Sequence, residues 1–149
     1  MKNYKVDYED WSFYVNWKNY EKLSKDRCGK WIFCFAGTKE NISFIKAICE
    51  FAVENNISIM VKHTREYISL LQGYGMCCFY CNDDDTEIHR KILSYLIKNN
   101  LIFRRKNGYL YNIPFKYEEQ SDNNEYGRDF VALLSINDFI DLETEKWRE

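Results

Sequence analysis

Proline is almost missing, with 1 in 149 residues, and glycine is scarce at 6. That scarcity excludes collagen-like, low-complexity and linker-rich chains. An excess of one charge is also missing: 21 Lys and Arg stand against 23 Asp and Glu, a net charge of −2. The balance removes both the argument for disorder and the phosphate-neutralising basic excess that drives non-specific nucleic-acid binding, so nucleic acid is not a favoured partner. No apolar run approaches the roughly 18 residues of a membrane helix. The opening Met1-Lys2-Asn3-Tyr4-Lys5-Val6-Asp7 lacks an apolar leader, so the expected location is the cytoplasm, away from membranes. The 6 cysteines fall among strand and helix residues rather than in loops and are read as reduced thiols. Cys78-Phe79-Tyr80-Cys81 satisfies C-x-x-C, but no second pair completes a zinc site, and a strand would send its two thiols to opposite faces. No metal or other cofactor is expected.

What the chain has in abundance is aromatic side chains, 17% of residues, and a length typical of one domain. Residues 1–149 therefore read as a single unit. Trp31-Ile32-Phe33-Cys34-Phe35 is a short, continuous apolar run, as expected of a strand covered on both faces. From Lys39 to Asn56, Ile42, Ile45, Ile48, Cys49 and Ala52 recur at helical spacing, with Thr38 placed to cap the first amides. Strands are predicted at Ile57–Val61, Met76–Cys81 and Leu101–Arg105, with a second helix capped by Asp85 whose inner stripe is Ile88, Ile92, Tyr95 and Leu96.

These halves repeat. Ile32 lies over Met76, Ile48 over Ile92 and Ile57 over Leu101, 44 residues apart in each case. The pairs Asn55-Asn56 and Asn99-Asn100 end both helices, since asparagine tolerates the left-handed conformation of a helix C-terminus. The pattern is β-α-β over 31–61 and again over 76–105. It predicts an α+β fold: a ferredoxin-like repeat with helices on one face of a mostly antiparallel sheet. Added strands are expected at both ends. Trp11, Phe13, Val15 and Trp17 alternate onto one face over 11–17, while 109–147 carries strands at Tyr109–Ile113, after the Asn107-Gly108 turn, and Phe130–Ile136. Between those last two runs the polar loop Lys116–Arg128, and polar loops held by a sheet are where sites usually form.

Trp11-x-x-x-Val15, Gly29-Lys30-Trp31-Ile32 and Phe115-Lys116-x-Glu118-x-x-Ser121-x-x-Asn124-x-Tyr126 together resemble the family of the basophilic-leukaemia-expressed protein. Its late motif runs aromatic-Lys-x-Asp-x-x-Thr-x-x-Gly-x-Tyr. Every spacing is kept here, with Glu118, Ser121 and Asn124 in place of Asp, Thr and Gly, and the likeness spans Trp11 to Gly127. The resemblance implies a fold similar to the mRNA cap-binding initiation factor and an activity of the phosphothreonine lyase type.

The chemistry of the loop suits a phosphorylated or nucleotide-like ligand. Lys116 and Arg128 offer cations, Ser121 and Tyr126 hydroxyls, Gln120 an amide and Glu118 a carboxylate. The cap-binding resemblance implies stacked aromatics, with Trp11, Trp17 and Trp31 as candidates, although Trp31, opening an apolar strand, is expected in the core. A lyase would need a base for the proton beside a carbonyl and cations for the departing phosphate. Lys62 and His63 are the candidates, although strand alternation would send them to opposite faces. His89 is expected on the surface.

A fainter resemblance is to phage-type S-adenosylmethionine lyases, carried by the repeat and the closing Ile136-Asn137-Asp138-Phe139 with Trp147. It implies an oligomer with sites between subunits, Glu66 as a partner for substrate, and the segment Thr64–Gly75 as a lip over the pocket. The third alternative is a non-enzymatic interaction or inhibitor module.

Overall fold

The computed structural model describes residues 4–118 and 133–149. It is an α+β fold in which six strands form one open antiparallel sheet: β1 Tyr4–Tyr8, β2 Trp11–Val15, β3 Cys28–Ala36, β4 Met60–Thr64, β5 Tyr74–Asn82 and β6 Phe115–Tyr117. The strand order is β1-β2-β4-β5-β3-β6. The helices are α1 Lys39–Glu54, α2 Glu66–Gln72 and α3 Thr86–Lys98.

Both long helices form where the periodicity predicts. Thr38 Oγ1 accepts from the Asn41 amide at 3.2 Å and Asp85 Oδ1 from the Ile88 amide at 3.3 Å, each satisfying an amide that the first helical turn leaves without a partner. Ile42, Ile45, Ile48, Cys49 and Ala52 of α1 are all buried, as are Ile92 and Leu96 of α3. The helices share one face of the sheet. The Tyr95 hydroxyl donates to the Ile48 carbonyl at 2.7 Å, and Phe51 stacks on Tyr95, its counterpart in the repeat. Beneath them Phe33, Cys77, Phe79 and Cys81 join a single core with Trp31, which is 1% exposed.

The repeat extends to backbone detail at the helix ends. Asn56 and Asn100 have φ 57° and 56°. Asn55 and Asn99 each donate through Nδ2 to a carbonyl one turn back, at 2.9 Å, and Ile57 and Leu101 close the turn on Ala52 and Leu96. A β-branched residue at φ near 57° is strained by roughly 1–2 kcal/mol. Asn100→Val is therefore expected to lower stability by about that amount, while Asn100→Gly is tolerated. A urea midpoint unchanged by the valine would contradict this reading.

After the repeated turns the two halves diverge. In the first, the predicted strand Ile57–Val61 begins three residues later, at Met60, because Ile57 and Ser58 both donate to Ala52 and are spent on the helix end. In the second, Leu101–Arg105 does not join the sheet. Leu101 and Ile102 bury, and Arg104 makes only an isolated bridge to Leu110. Tyr109–Ile113 likewise forms no strand, although the turn holds: Gly108, at φ 90°, donates to the Arg105 carbonyl at 2.8 Å. The place beside β3 goes instead to β6, inside the stretch read as a loop. Gly29 makes this docking feasible, since a Cβ there would lie 2.4 Å from the Phe115 ring and 2.8 Å from the Lys116 carbonyl oxygen. Of the expected strand Phe130–Ile136, residues 130–132 lie outside the described residues, while Ser135 bridges Pro114. Strand β1 and helix α2 had no sequence signal; α2 occupies the segment read as a lip and stops at Gly73, φ 87°.

Candidate functional site

Alternation sorts the candidate residues by face. On β2, Trp11 and Phe13 point away from the helices, while Ser12 and Tyr14 point toward them, and register carries the same division across the sheet: Phe13 pairs with Lys62, Lys62 with Cys78, Tyr80 with Lys30, and Lys30 with Lys116. The face that carries none of the three α-helices thus gathers Lys62, Lys30 and Lys116 among Trp11, Phe13 and Tyr80, the last 2% exposed in a cluster that Leu23 also packs against. At its centre the Lys62 ammonium stands 4.0 Å over the Trp11 ring, 5.6 Å from Phe13 and 5.6 Å from Tyr80. Lys30 stands 5.7 Å from the same tyrosine and ion-pairs with Glu118.

Lys62 makes no ion pair with any of the described residues. Among the described residues its ammonium is held by ring faces, an attraction of about 0.5–2 kcal/mol per contact. Burial drives its pKa down, and neighbouring Lys30 adds to the effect. The same burial pushes the Cys78 thiol up to about 11, so at neutral pH the cation faces a neutral thiol. A half-buried cation with no ion pair among the described residues, and with Glu118 acting on it only at longer range, can take an anion, and the rings beside it suit a planar group.

Of the residues read as site candidates, Lys62, Trp11, Lys116 and Glu118 come together here. Lys62 and His63 occupy adjacent positions on β4 and point to opposite faces, as alternation predicts. His63 is 0% exposed: its Nδ1–H donates to the Thr64 carbonyl at 2.7 Å, and Tyr14 donates to its bare Nε2 at 3.1 Å. Glu66 begins α2 on the helix side, ion-paired with Lys46, whose charge holds its pKa down. The three candidates for catalysis therefore share no site. Trp17 lies just past the end of β2, exposed and packed against Tyr20 at 5.2 Å. Gln120, Ser121, Tyr126 and Arg128 lie outside the described residues.

Comparison with protein-family models, curated proteins and solved structures finds no match to this chain. Sequence reasoning missed Lys30, Phe13 and Tyr80, although a usable signal existed: on a strand whose Trp31 is core, Lys30 must face the other way.

One expectation is corrected. His89 is not a surface residue but is 0% exposed. Its Nε2–H donates to the Asp83 carbonyl at 2.9 Å and its Nδ1 accepts from the Trp31 indole at 3.1 Å. The α3 stripe rotates inward by one position at its first turn, so His89, next to Ile88, meets Trp31, Phe115 and Phe139.

Proposed function

We propose that the chain binds a nucleotide or another phosphate-bearing ligand on the face of its sheet that carries none of the three α-helices. The observation that carries this reading is the Lys62 ammonium, without an ion pair among the described residues, set over Trp11 and near Phe13 and Tyr80. A phosphate supplies the missing counter-charge through charge-assisted hydrogen bonds, each about 1.5–3 kcal/mol, and a base stacked on an indole adds about 1–3 kcal/mol. Lys30 and Lys116 extend the cationic row, with Glu118 tempering it.

The strand order β4-β5-β3-β6 supports reading the core as a ferredoxin-like repeat with β6 as the fourth strand, extended at the other edge by β1 and β2. Membership of the basophilic-leukaemia-expressed family, with its cap-binding-like fold, is part of the same proposal. In a lyase acting by elimination at this site, Lys62 is the cation that holds the departing phosphate. An S-adenosylmethionine-type lyase working between subunits and a non-enzymatic interaction module are the competing functions.

Tryptophan fluorescence titrations with guanosine and adenosine mono- and triphosphates, a 7-methylguanosine cap analogue, a phosphothreonine peptide and S-adenosylmethionine separate these. Saturable binding of a phosphate-bearing compound is expected, weakened tenfold or more by Lys62→Met and by Trp11→Ala. Binding of S-adenosylmethionine alone, or of none of these at millimolar concentration, would reject the proposal.

A further inference from the structure

The sheet leaves part of its β3 edge without a partner. β6 pairs with Gly29, Lys30 and Trp31 only, so among the described residues nothing pairs with Ile32–Ala36 on that side. Two cavities of about 580 Å³ and 530 Å³ follow one another along this stretch. They share Cys34 and Phe103, so together they make one slot with β3 as its inner wall and the segment around Phe103 and Tyr111 as its outer wall. Phe44, Tyr74, Phe103 and Tyr111, all on this slot, are exposed large hydrophobics, and Phe103 reaches 59%.

We infer that the slot receives an extended, apolar segment of a partner protein as an added strand beside β3. Three properties select that occupant. The Ala36 carbonyl is taken by the Thr38 amide and Asn41 Nδ2, but the remaining edge amides and carbonyls, without partners among the described residues, are satisfied by another extended backbone and not by a helix or a small ligand. The one charged side chain of the slot, Arg104, is already committed to Glu145 at 2.6 Å, so the incoming residues need carry no charge. The slot has two walls and is closed at one end by β6, so a single strand of five residues, about 17 Å long, fits, whereas the edge of a second copy's sheet would meet β6. The expected strand Leu101–Arg105 would have filled this place; its failure to pair is what leaves the edge available.

The test uses the whole chain with a fluorescein-labelled heptapeptide of alternating valine and threonine, read by fluorescence anisotropy and by amide hydrogen exchange. Micromolar binding is expected, with the Ile32–Ala36 amides that face the slot protected only when peptide is present. A peptide of identical side chains but N-methylated at alternate backbone positions should bind at least tenfold more weakly, because only main-chain pairing distinguishes the two. Phe103→Ala, at an exposed position, should weaken binding severalfold while leaving the urea midpoint unchanged. Equal binding of the N-methylated peptide would overturn the inference, as would absence of binding at millimolar concentration. So would amides already protected in the free monomer, which would mean that the chain fills its own edge, or protection accompanying dimerisation, which would make the occupant a second copy. None of these measurements touches Lys62 or Trp11.

Discussion

Trp31→Ala is expected to remove about 3–5 kcal/mol of stability, the range for deleting a large aromatic side chain from a packed core. Trp31 is 1% exposed and touches Phe115 and Phe139 at ring-centroid distances of 5.2 and 6.0 Å, so little can collapse into the space it leaves. A second loss adds to the cavity. The indole N–H is the donor for His89 Nδ1, and without it that nitrogen keeps only the weak Cys81 thiol at 3.5 Å, a net loss of about 0.5–1.5 kcal/mol. Against a typical total of about 5–15 kcal/mol, the variant should be marginal at 25 °C. Urea unfolding followed by circular dichroism measures this directly, and a loss below about 1 kcal/mol would show that Trp31 does not hold β3, β6 and α3 together. Trp31→Phe should cost less in volume but still forfeit the hydrogen bond, so its loss should fall between wild type and the alanine variant.

Stability should also fall on mild acidification, because both histidines are buried in the neutral form. Burial is the leading cause lowering the pKa of His63 and of His89, outweighing the carbonyls that favour their protonated rings. In the unfolded chain each titrates near its ordinary value of about 6.5. Below that pH the unfolded state binds protons that the folded state refuses, so the stabilising contribution is complete above about pH 6.5 and declines as the pH falls toward the lowered folded values. The slope is at most about 1.4 kcal/mol per pH unit for each histidine, so up to about 4 kcal/mol should go between pH 6.5 and 5 for the two together. The carboxylates held low by their partners, such as Asp7 beside Ser12 and Glu145 beside Arg104, lose their contribution at more acid pH and do not obscure this window. Urea midpoints at pH 8, 7, 6 and 5 should be level over the first two and then drop. A flat profile to pH 5 would mean that both rings take up protons in the folded protein as readily as in the unfolded chain.

These two histidines also show where reading a sequence stops. Isolated polar residues on helices and strands read as surface or as chemistry, because neither role leaves a local trace; burial is decided by what packs against them from far along the chain. Phe115 and Phe139, both in contact with His89, lie 26 and 50 residues beyond it. Lys62 is the reverse case. Its face followed from alternation, but the rings around it come from β2 and β5, so its aromatic surroundings are a tertiary fact.

The features that rest on local physics are legible along the chain: two amphipathic helices with their caps, the paired asparagines that stop them, the core strands β3 and β5, and the opposed faces of Lys62 and His63. The tertiary structure alone decided which segment occupies the place beside β3. Leu101–Arg105 and Phe115–Tyr117 both carry strand-compatible side chains, and the competition between them is settled by fit. Gly29 leaves room for the Phe115 ring, while Leu101 is tied back to the end of α3. The aromatic surplus, unassigned in the linear chain, is divided by the same packing between a core centred on Trp31 and a ring-lined lysine on the other face. Non-local contacts of this kind leave no period in a sequence, because their energy depends on complementary shapes that exist only once the sheet has formed.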